Sequence, residues 1–286
     1  MIKIDNVRDF NTDHIFDCGQ CFRWEREDDG SYTGIAGSMT ANVSYDNETV
    51  TIEGMGDEAF WRDYLDLDRD YSAIKEVLSS GDETITKAID YGSGIRLLNQ
   101  NRWETIISFI ISQNNNIPRI KGCINTLSEN FGEKAGSFRG KEYYCLPSPE
   151  VLGKLDAQEL SSVRLGYRAP YLVKTGKQVY EDGGEEYLDE LVRKKSQQEI
   201  YEYLTGLHGI GPKVANCIML FAMKQYDSFP VDVWVKRVMN TLYGFEESDV
   251  KGMKAFAAER FGEYGGFAQQ YLFYYIRSLG NSIDKK

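Results

Sequence analysis

Cysteine is scarce in this chain. There are five in 286 residues, at Cys18, Cys21, Cys123, Cys145 and Cys217, an odd number too thinly spread for a disulfide framework, which favours a reducing compartment. Histidine is scarcer still, with only His14 and His208. Cys18-Gly-Gln-Cys21 has the spacing of half a zinc site, but a tetrahedral site needs two further ligands at comparable spacing. None is visible, so no metal is assigned. No apolar run approaches the ~18 residues that a membrane span needs. The N-terminus places Asp5 and Asp9 where an export signal needs positive and then apolar residues, so the expected location is the cytoplasm, with nucleoid association in a prokaryote. Positive charge is also in deficit. The 33 Lys and Arg against 44 Asp and Glu give a net charge of -11, which repels polyanions at long range and, taken alone, argues against a nucleic-acid partner. Screening over ~8 Å at physiological salt still lets a local basic patch operate on an acidic protein.

What is present is a globular composition, 42% hydrophobic and 27% charged, in a length that suits two domains or one large one. Residues 31 to 53 alternate short β-branched and aromatic runs with Gly and Asp-Asn turn signals, the pattern of antiparallel strands, and Phe22-Arg-Trp24 starts or precedes that sheet. From about Glu58 the apolar period becomes 3.6 and stays helical nearly to the end. Helices are expected over Trp103–Ser112, Arg119–Phe131, from Pro149 with Ser148 as cap, and over Ala169–Tyr180, Ser196–Leu204, Pro212–Met223, Asp232–Leu242, Val250–Phe261 and Phe267–Leu279, followed by a polar tail, Asn281–Lys286. The expected fold is α+β: an N-terminal β-containing domain over residues 1–90 and a mainly α-helical body over 91–286 that the first part packs against.

The stretch Ile200-Tyr-Glu-Tyr-Leu-Thr-Gly-Leu-His-Gly-Ile-Gly-Pro-Lys-Val-Ala-Asn-Cys217 reads as two helices joined by a tight turn, a helix-hairpin-helix signature. Gly209 and Gly211 permit positive φ and close backbone approach, and the amides that open the second helix suit a phosphate. An αα-hairpin whose glycines merely turn the chain, or a non-catalytic DNA clamp, would carry the same pattern. Lys213, however, sits in the first helical turn, where the dipole disfavours a cation. The dipole is expected to lower its pKa, and a partly neutral lysine is a nucleophile able to form a Schiff base. Cys217, four residues on, shares its face. Asp232, nineteen residues after Lys213, is placed to cap the next helix and, across one helix and a loop, to return a carboxylate beside the lysine. Lys236 and Arg237 follow as phosphate contacts or plain solvated surface.

The hairpin Gly-Ile-Gly-Pro-Lys213 followed by Pro-Val-Asp232 resembles the helix-hairpin-helix, GPD-type DNA glycosylases. Cys18-Gly-Gln-Cys-Phe-Arg-Trp24, Ser112-Gln-Asn-Asn-Asn-Ile-Pro-Arg119, Leu165-Gly-Tyr-Arg168 and Phe267-Ala-Gln269 resemble, in order, the motifs of the 8-oxoguanine DNA glycosylase family. No cysteine follows Cys217, so the iron-sulfur cluster of endonuclease III-like relatives is not expected. The resemblance implies a monomeric bifunctional glycosylase and apurinic-site lyase acting on duplex DNA with 8-oxoguanine opposite cytosine, without a cofactor; a cation held by hairpin carbonyls stays open. It implies attack by Lys213 on C1′ of a flipped nucleotide, with Asp232 stabilising the developing positive charge. Gly19 would accept from the N7-H that distinguishes 8-oxoguanine from guanine, Gln269 would read the Watson-Crick edge, and Phe273 and Cys217 would flank the base. Asn114 would fill the vacated space, Arg119 and Arg168 would contact the orphaned cytosine, and Tyr167 would wedge beside it. Gly209, Gly211 and Trp234 would meet the DNA backbone. Trp234 stands where many members place histidine, Cys21 replaces a small hydroxyl residue, and Phe267 replaces a frequent tryptophan. Two other readings remain: a glycosylase for other damaged purines, and a non-catalytic hairpin module.

Overall fold

The computed structural model describes residues 1–283. The chain opens with β1 (Ile2–Ile4) and a short helix, α1 (Thr12–Phe16), and continues through β2 (Trp24–Arg26), β3 (Tyr32–Ala36), β4 (Met39–Asp46) and β5 (Thr49–Gly54). These strands form one antiparallel sheet in the order β1-β5-β4-β3-β2. The strands expected between 31 and 53 are therefore present. The edge strand β1 is an addition, too short to carry a readable period and recruited by pairing Ile2 with Ile52 and Ile4 with Val50. The sheet buries Trp24, Tyr32, Val43, Val50 and Ile52 with Phe16 and Trp61 in one apolar cluster. Phe16 and Trp24 meet at 4.5 Å between ring centroids. The Trp24 indole N–H donates to the Tyr64 hydroxyl at 2.8 Å, so the polar edge of this fully buried ring is satisfied.

Helices then dominate. α2 (Glu58–Tyr64), α3 (Tyr71–Ser79) and α4 (Glu83–Tyr91) each start at an aspartate, Asp57, Asp70 and Asp82, whose carboxylate accepts a first-turn N–H. α5 (Arg102–Ser112) and α6 (Ile117–Phe131) follow, and then a small hairpin, β6 (Lys134–Phe138) with β7 (Lys141–Tyr144), interrupts the helices. This corrects the expectation of an unbroken helical body: the hairpin strands are short, Gly136 and Gly140 break their pattern, and the register shifts between Lys134 and Gly136. α7 (Pro149–Lys154) leads through two 3-10 turns, Glu159–Val163 and Gly166–Arg168, to α8 (Ala169–Glu181), α9 (Gly184–Lys194) and α10 (Gln197–Gly206). The last four helices are α11 (Pro212–Ala222), α12 (Val233–Tyr243), α13 (Val250–Phe261) and α14 (Gly265–Ile283). Of the polar tail expected over Asn281–Lys286, residues 281–283 continue α14 and residues 284–286 lie outside the described residues. No helix of the described residues is long and apolar enough to cross a membrane.

α5 is the hub. Trp103 and every residue from Thr105 to Ile111 are buried, the signature of a helix surrounded by protein. Phe109 stacks on Phe221 of α11 at 5.5 Å and meets the edge of Phe22 at 5.9 Å. One helix thus fixes three things in common: the loop at its own C-terminal end, the hairpin helix α11, and the segment around Gly19. Gln20 locks that segment further. Fully buried, it donates to the carbonyls of Ile15 and Arg96 and accepts from the Leu98 amide at 2.8–2.9 Å, so none of its polar atoms is stranded in the core.

Candidate active site

The hairpin is built by α10, the turn 207–211 and α11. Ser196 and Glu199 form a complete capping box at the start of α10. Leu207 and Ile210 are buried beneath the turn, while its carbonyls are held from outside: Thr175 donates to His208 at 3.0 Å and the Gln113 amide donates to Gly209 at 2.8 Å. Gly209 adopts φ +79°, and a Cβ there would lie 2.5 Å from the Tyr171 ring, so glycine is required twice over. Gly211 does not use the positive φ that glycine permits. It is an extended N-cap, φ -88° and ψ 176°, and a Cβ there would meet nothing within 4 Å. What it contributes is open space in front of the first amides of α11, which no side chain caps and which therefore remain available to an anion.

Pro212 occupies the first position of α11 and Lys213 the second. Asp232 is the N-cap of α12, accepting from the Val235 amide at 2.8 Å through one carboxylate oxygen and leaving the other without a hydrogen bond among the described residues. Lys213 and Asp232 line the same cavity of about 630 Å³, together with Asn114, Gly211, Trp234 and Lys236. Cys217 lies one turn on from Lys213 along α11 and is buried. The expected depression of the lysine pKa is corrected here: the adjoining Cys217 sulfur, against the opposing effect of burial and with Asp232 adding to it, holds the Lys213 ammonium above its ordinary value. Burial pushes the Cys217 thiol up. The free protein therefore stores a protonated lysine, and the chemistry must dispose of that proton. A second cavity of about 480 Å³, lined by Gly37, Phe60, Asn99 and Glu104 among others, contains none of the expected site residues.

The residues expected to read a base lie deeper. Gln269 and Cys217 are each 5% exposed, and the side-chain oxygen of Gln269 is buried without a hydrogen-bond partner among the described residues, an open acceptor that a buried site rarely tolerates without use. Gly19 has φ +84°, and a Cβ on it would lie 3.3 Å from Phe273. Gly19 and the Phe273 ring thus rest against each other. Gln269 and Phe273, four apart on α14, share one face.

The residues expected at the opposite strand surround the end of α5. Asn114 is exposed, takes φ +47° and makes no side-chain hydrogen bond among the described residues. Arg119 is exposed and donates to the Arg164 carbonyl at 3.1 Å. Tyr167 is 51% exposed. Arg168 differs from the expected free fork: 4% exposed, it donates to Leu165 at 3.1 Å, to Asn114 at 3.0 Å and to Gln113 through two nitrogens. Its guanidinium binds the carbonyl end of α5 and stacks under Tyr167 at 4.5 Å, so it shapes the loop. Trp234 is half-buried at the cavity, with Arg237 over its ring at 4.9 Å. Gln113 escaped sequence reasoning although it ties the α5 loop to the hairpin; the only signal for it was its place inside the Ser112–Arg119 motif. Among the described residues no group of three or more His, Cys, Asp or Glu side chains comes together to hold a metal ion.

Comparison with known proteins places this geometry. The family described as 8-oxoguanine DNA glycosylase, N-terminal domain, matches residues 2–106, and the HhH-GPD superfamily of base excision DNA repair proteins matches residues 107–263. The chain is 31% identical over 280 residues to the N-glycosylase/DNA lyase OGG1 of Arabidopsis thaliana, covering 90% of this chain and 75% of that protein. It is 31% identical over 219 residues to a probable N-glycosylase/DNA lyase of Methanothermobacter thermautotrophicus, covering 70% and 69%. The fold superposes with a TM-score of 0.90 and 43% identity on the 8-oxoguanine glycosylase/lyase of Clostridium acetobutylicum, solved in complex with double-stranded DNA containing cytosine opposite 8-oxoguanine, over 97% of this chain and 95% of that one.

Proposed function

The chain belongs to the 8-oxoguanine DNA glycosylase family within the HhH-GPD superfamily, and on that footing we propose that it excises 8-oxoguanine opposite cytosine from duplex DNA and then cleaves the strand through a Schiff base on Lys213. The observation that carries the reading is the convergence of an N-terminal helical lysine and a capping carboxylate, from separate helices, on one cavity.

The steps follow from the groups present. The damaged nucleotide must leave the stack, because C1′ is inaccessible within the duplex; the uncapped amides of α11 and the open space before Gly211 suit the phosphate that flanks it. Breaking the bond between C1′ and N9 puts positive charge on the sugar, which the free oxygen of Asp232 faces, and leaves an electron pair on the departing base. The proton shed by the Lys213 ammonium supplies what that base needs. The neutral amine bonds to C1′, the ring opens with its oxygen taking a proton, and an imine results. Loss of a C2′ proton expels the 3′ phosphate, and water then releases the enzyme. In the base pocket the Gly19 carbonyl accepts from N7-H of 8-oxoguanine, whereas the N7 lone pair of guanine would oppose it. Gln269, with its unpartnered oxygen, reads the Watson-Crick edge, and Phe273 stacks on one face with Cys217 on the other. Arg119 and Tyr167 serve the orphaned cytosine, Asn114 the vacated space, and Trp234 and Lys236 the backbone beside the cavity.

The test is base release and strand scission on a duplex with one 8-oxoguanine opposite cytosine. Wild-type protein gives both and Lys213→Gln loses both. A Lys213→Gln variant that still releases base and nicks the strand at the wild-type rate would contradict the assignment.

A further inference from the structure

The turn that carries Gly19 is held by donors that come from far along the chain. The Arg277 guanidinium donates to the Asp17 carbonyl at 2.5 Å, with the Asp17 carboxylate 3.5 Å away. The Gln270 side-chain amide donates to the Cys18 carbonyl at 2.9 Å, and the Gln100 side-chain amide donates to the Gln20 carbonyl at 2.8 Å. Among the described residues, the carbonyl of Gly19 alone in this run of four accepts no hydrogen bond. Gln270 is 1% exposed, so its bond to Cys18 forms in a water-poor setting where geometry is enforced strongly. Gln269, Phe273 and Arg277 recur every four residues along α14 and so form one stripe, and Gln270 stands beside it. The helix that stacks on the base also grips the two carbonyls that precede the vacant one. Arg277 keeps one terminal nitrogen, Nη1, buried without a partner among the described residues, 3.5 Å from where a Cβ of Gly19 would lie, so the clamp and the turn touch directly.

We infer that Gln270, Arg277 and Gln100 are specificity-positioning residues: by engaging the carbonyls on either side of Gly19 they leave its carbonyl as the single vacant acceptor of the turn and fix its direction. This rests on the reading of Gly19 given above. A single N–H distinguishes the lesion from guanine in that contact, and a hydrogen bond weakens steeply as its angle departs from linear. A loosened carbonyl therefore loses discrimination before it loses DNA. The clamp touches neither the reacting sugar nor Lys213, so processing of a site that already lacks its base is independent of it.

The experiment compares Arg277→Met, Gln270→Met and Gln100→Ala with wild type on two readouts. The first is affinity for duplexes containing 8-oxoguanine:cytosine or guanine:cytosine, measured in a Lys213→Gln background. The second is borohydride trapping on a natural abasic site, with Lys213 intact. The expected result is a five- to tenfold loss of preference for 8-oxoguanine, about the worth of one hydrogen bond, with abasic trapping held within about twofold of wild type. Arg277→Lys, which keeps a donor, recovers most of the preference. An unchanged preference with abasic trapping intact overturns the inference and leaves the enzyme reading standing. Equal losses on both readouts also overturn it, since the clamp would then be general scaffolding. Absence of abasic trapping by the wild-type protein overturns the enzyme reading itself. Should the buried variants fail to fold, the half-exposed Gln100→Ala decides the matter on the same two readouts.

Discussion

Lys213 and Asp232 stand at the N-terminal ends of two consecutive helices, the second residue of α11 and the cap of α12, and both line one cavity. Each position has an ordinary structural cost or benefit: the lysine opposes its helix dipole and the aspartate caps its helix. The benefit and the chemistry can be separated at Asp232, because asparagine also caps.

Asp232→Asn is therefore expected to leave stability within about 1 kcal/mol, as a cap-for-cap exchange does. It should lower the rate of base excision by about 10²-fold, the scale on which removal of one charge-stabilising group acts. Single-turnover excision and thermal unfolding of the same preparation check this. A variant that loses stability and activity in proportion would make capping its whole role.

Arg119 and Arg168 should behave differently although both belong to matching motifs. Arg119→Ala removes an exposed fork, and its expected effect is a loss of about tenfold in preference for cytosine over other opposite bases, within the ~1–3 kcal/mol of a good base contact. Arg168→Ala leaves the carbonyls of Gln113 and Asn114 at the end of α5, and that of Leu165, without their guanidinium donor, and is expected to destabilise the fold by about 2–4 kcal/mol, on the scale of one or two unsatisfied groups. Unfolding curves and an opposite-base panel distinguish the two.

The two hairpin glycines also divide. Gly209→Ala forces a side chain into left-handed backbone and against Tyr171, at an expected cost of about 1–3 kcal/mol. Gly211→Ala has both an ordinary φ and free space, so its stability should change by less than about 0.5 kcal/mol, while the added methyl stands where a phosphate approaches and weakens DNA binding. Melting temperature and binding measured on the pair reverse in order if the account holds.

The capping box of α10 gives a pH test. The Ser196 backbone amide, with the Ser196 hydroxyl and Lys195, lowers the Glu199 carboxyl from 4.5 to about 2. A depressed carboxyl contributes stability that is fully present above its unfolded value and is lost as pH falls through its folded one. The difference in melting temperature between wild type and Glu199→Gln should accordingly be constant down to about pH 5 and shrink between about pH 4.5 and 2. A difference that stays constant across that window would show that the carboxylate does no more than its amide.

What could be read in the sequence was local. The hairpin motif sits in one contiguous stretch, Asp232 follows it by one helix and a loop, and the strands between 31 and 53 announce themselves by alternation. What could not be read depends on partners remote in the chain. Arg168 meets acceptors 55 residues away, and Gln270 reaches a carbonyl 252 residues away, so the burial of the one and the clamping role of the other leave no local trace. The direction of the Lys213 pKa is not legible in the local sequence for the same reason. The dipole is visible in sequence, but the balance set by Cys217, burial and Asp232 exists only once α11 and α12 are packed. β1 and the β6–β7 hairpin were too short to show a period.

The most direct measurement is borohydride reduction of the protein on a duplex bearing one 8-oxoguanine opposite cytosine, followed by mapping of the cross-linked peptide. The account predicts a covalent adduct that requires the lesion, maps to Lys213 and disappears in Lys213→Gln. An adduct that persists in that variant, or that maps to Lys236 in the same cavity, would contradict it.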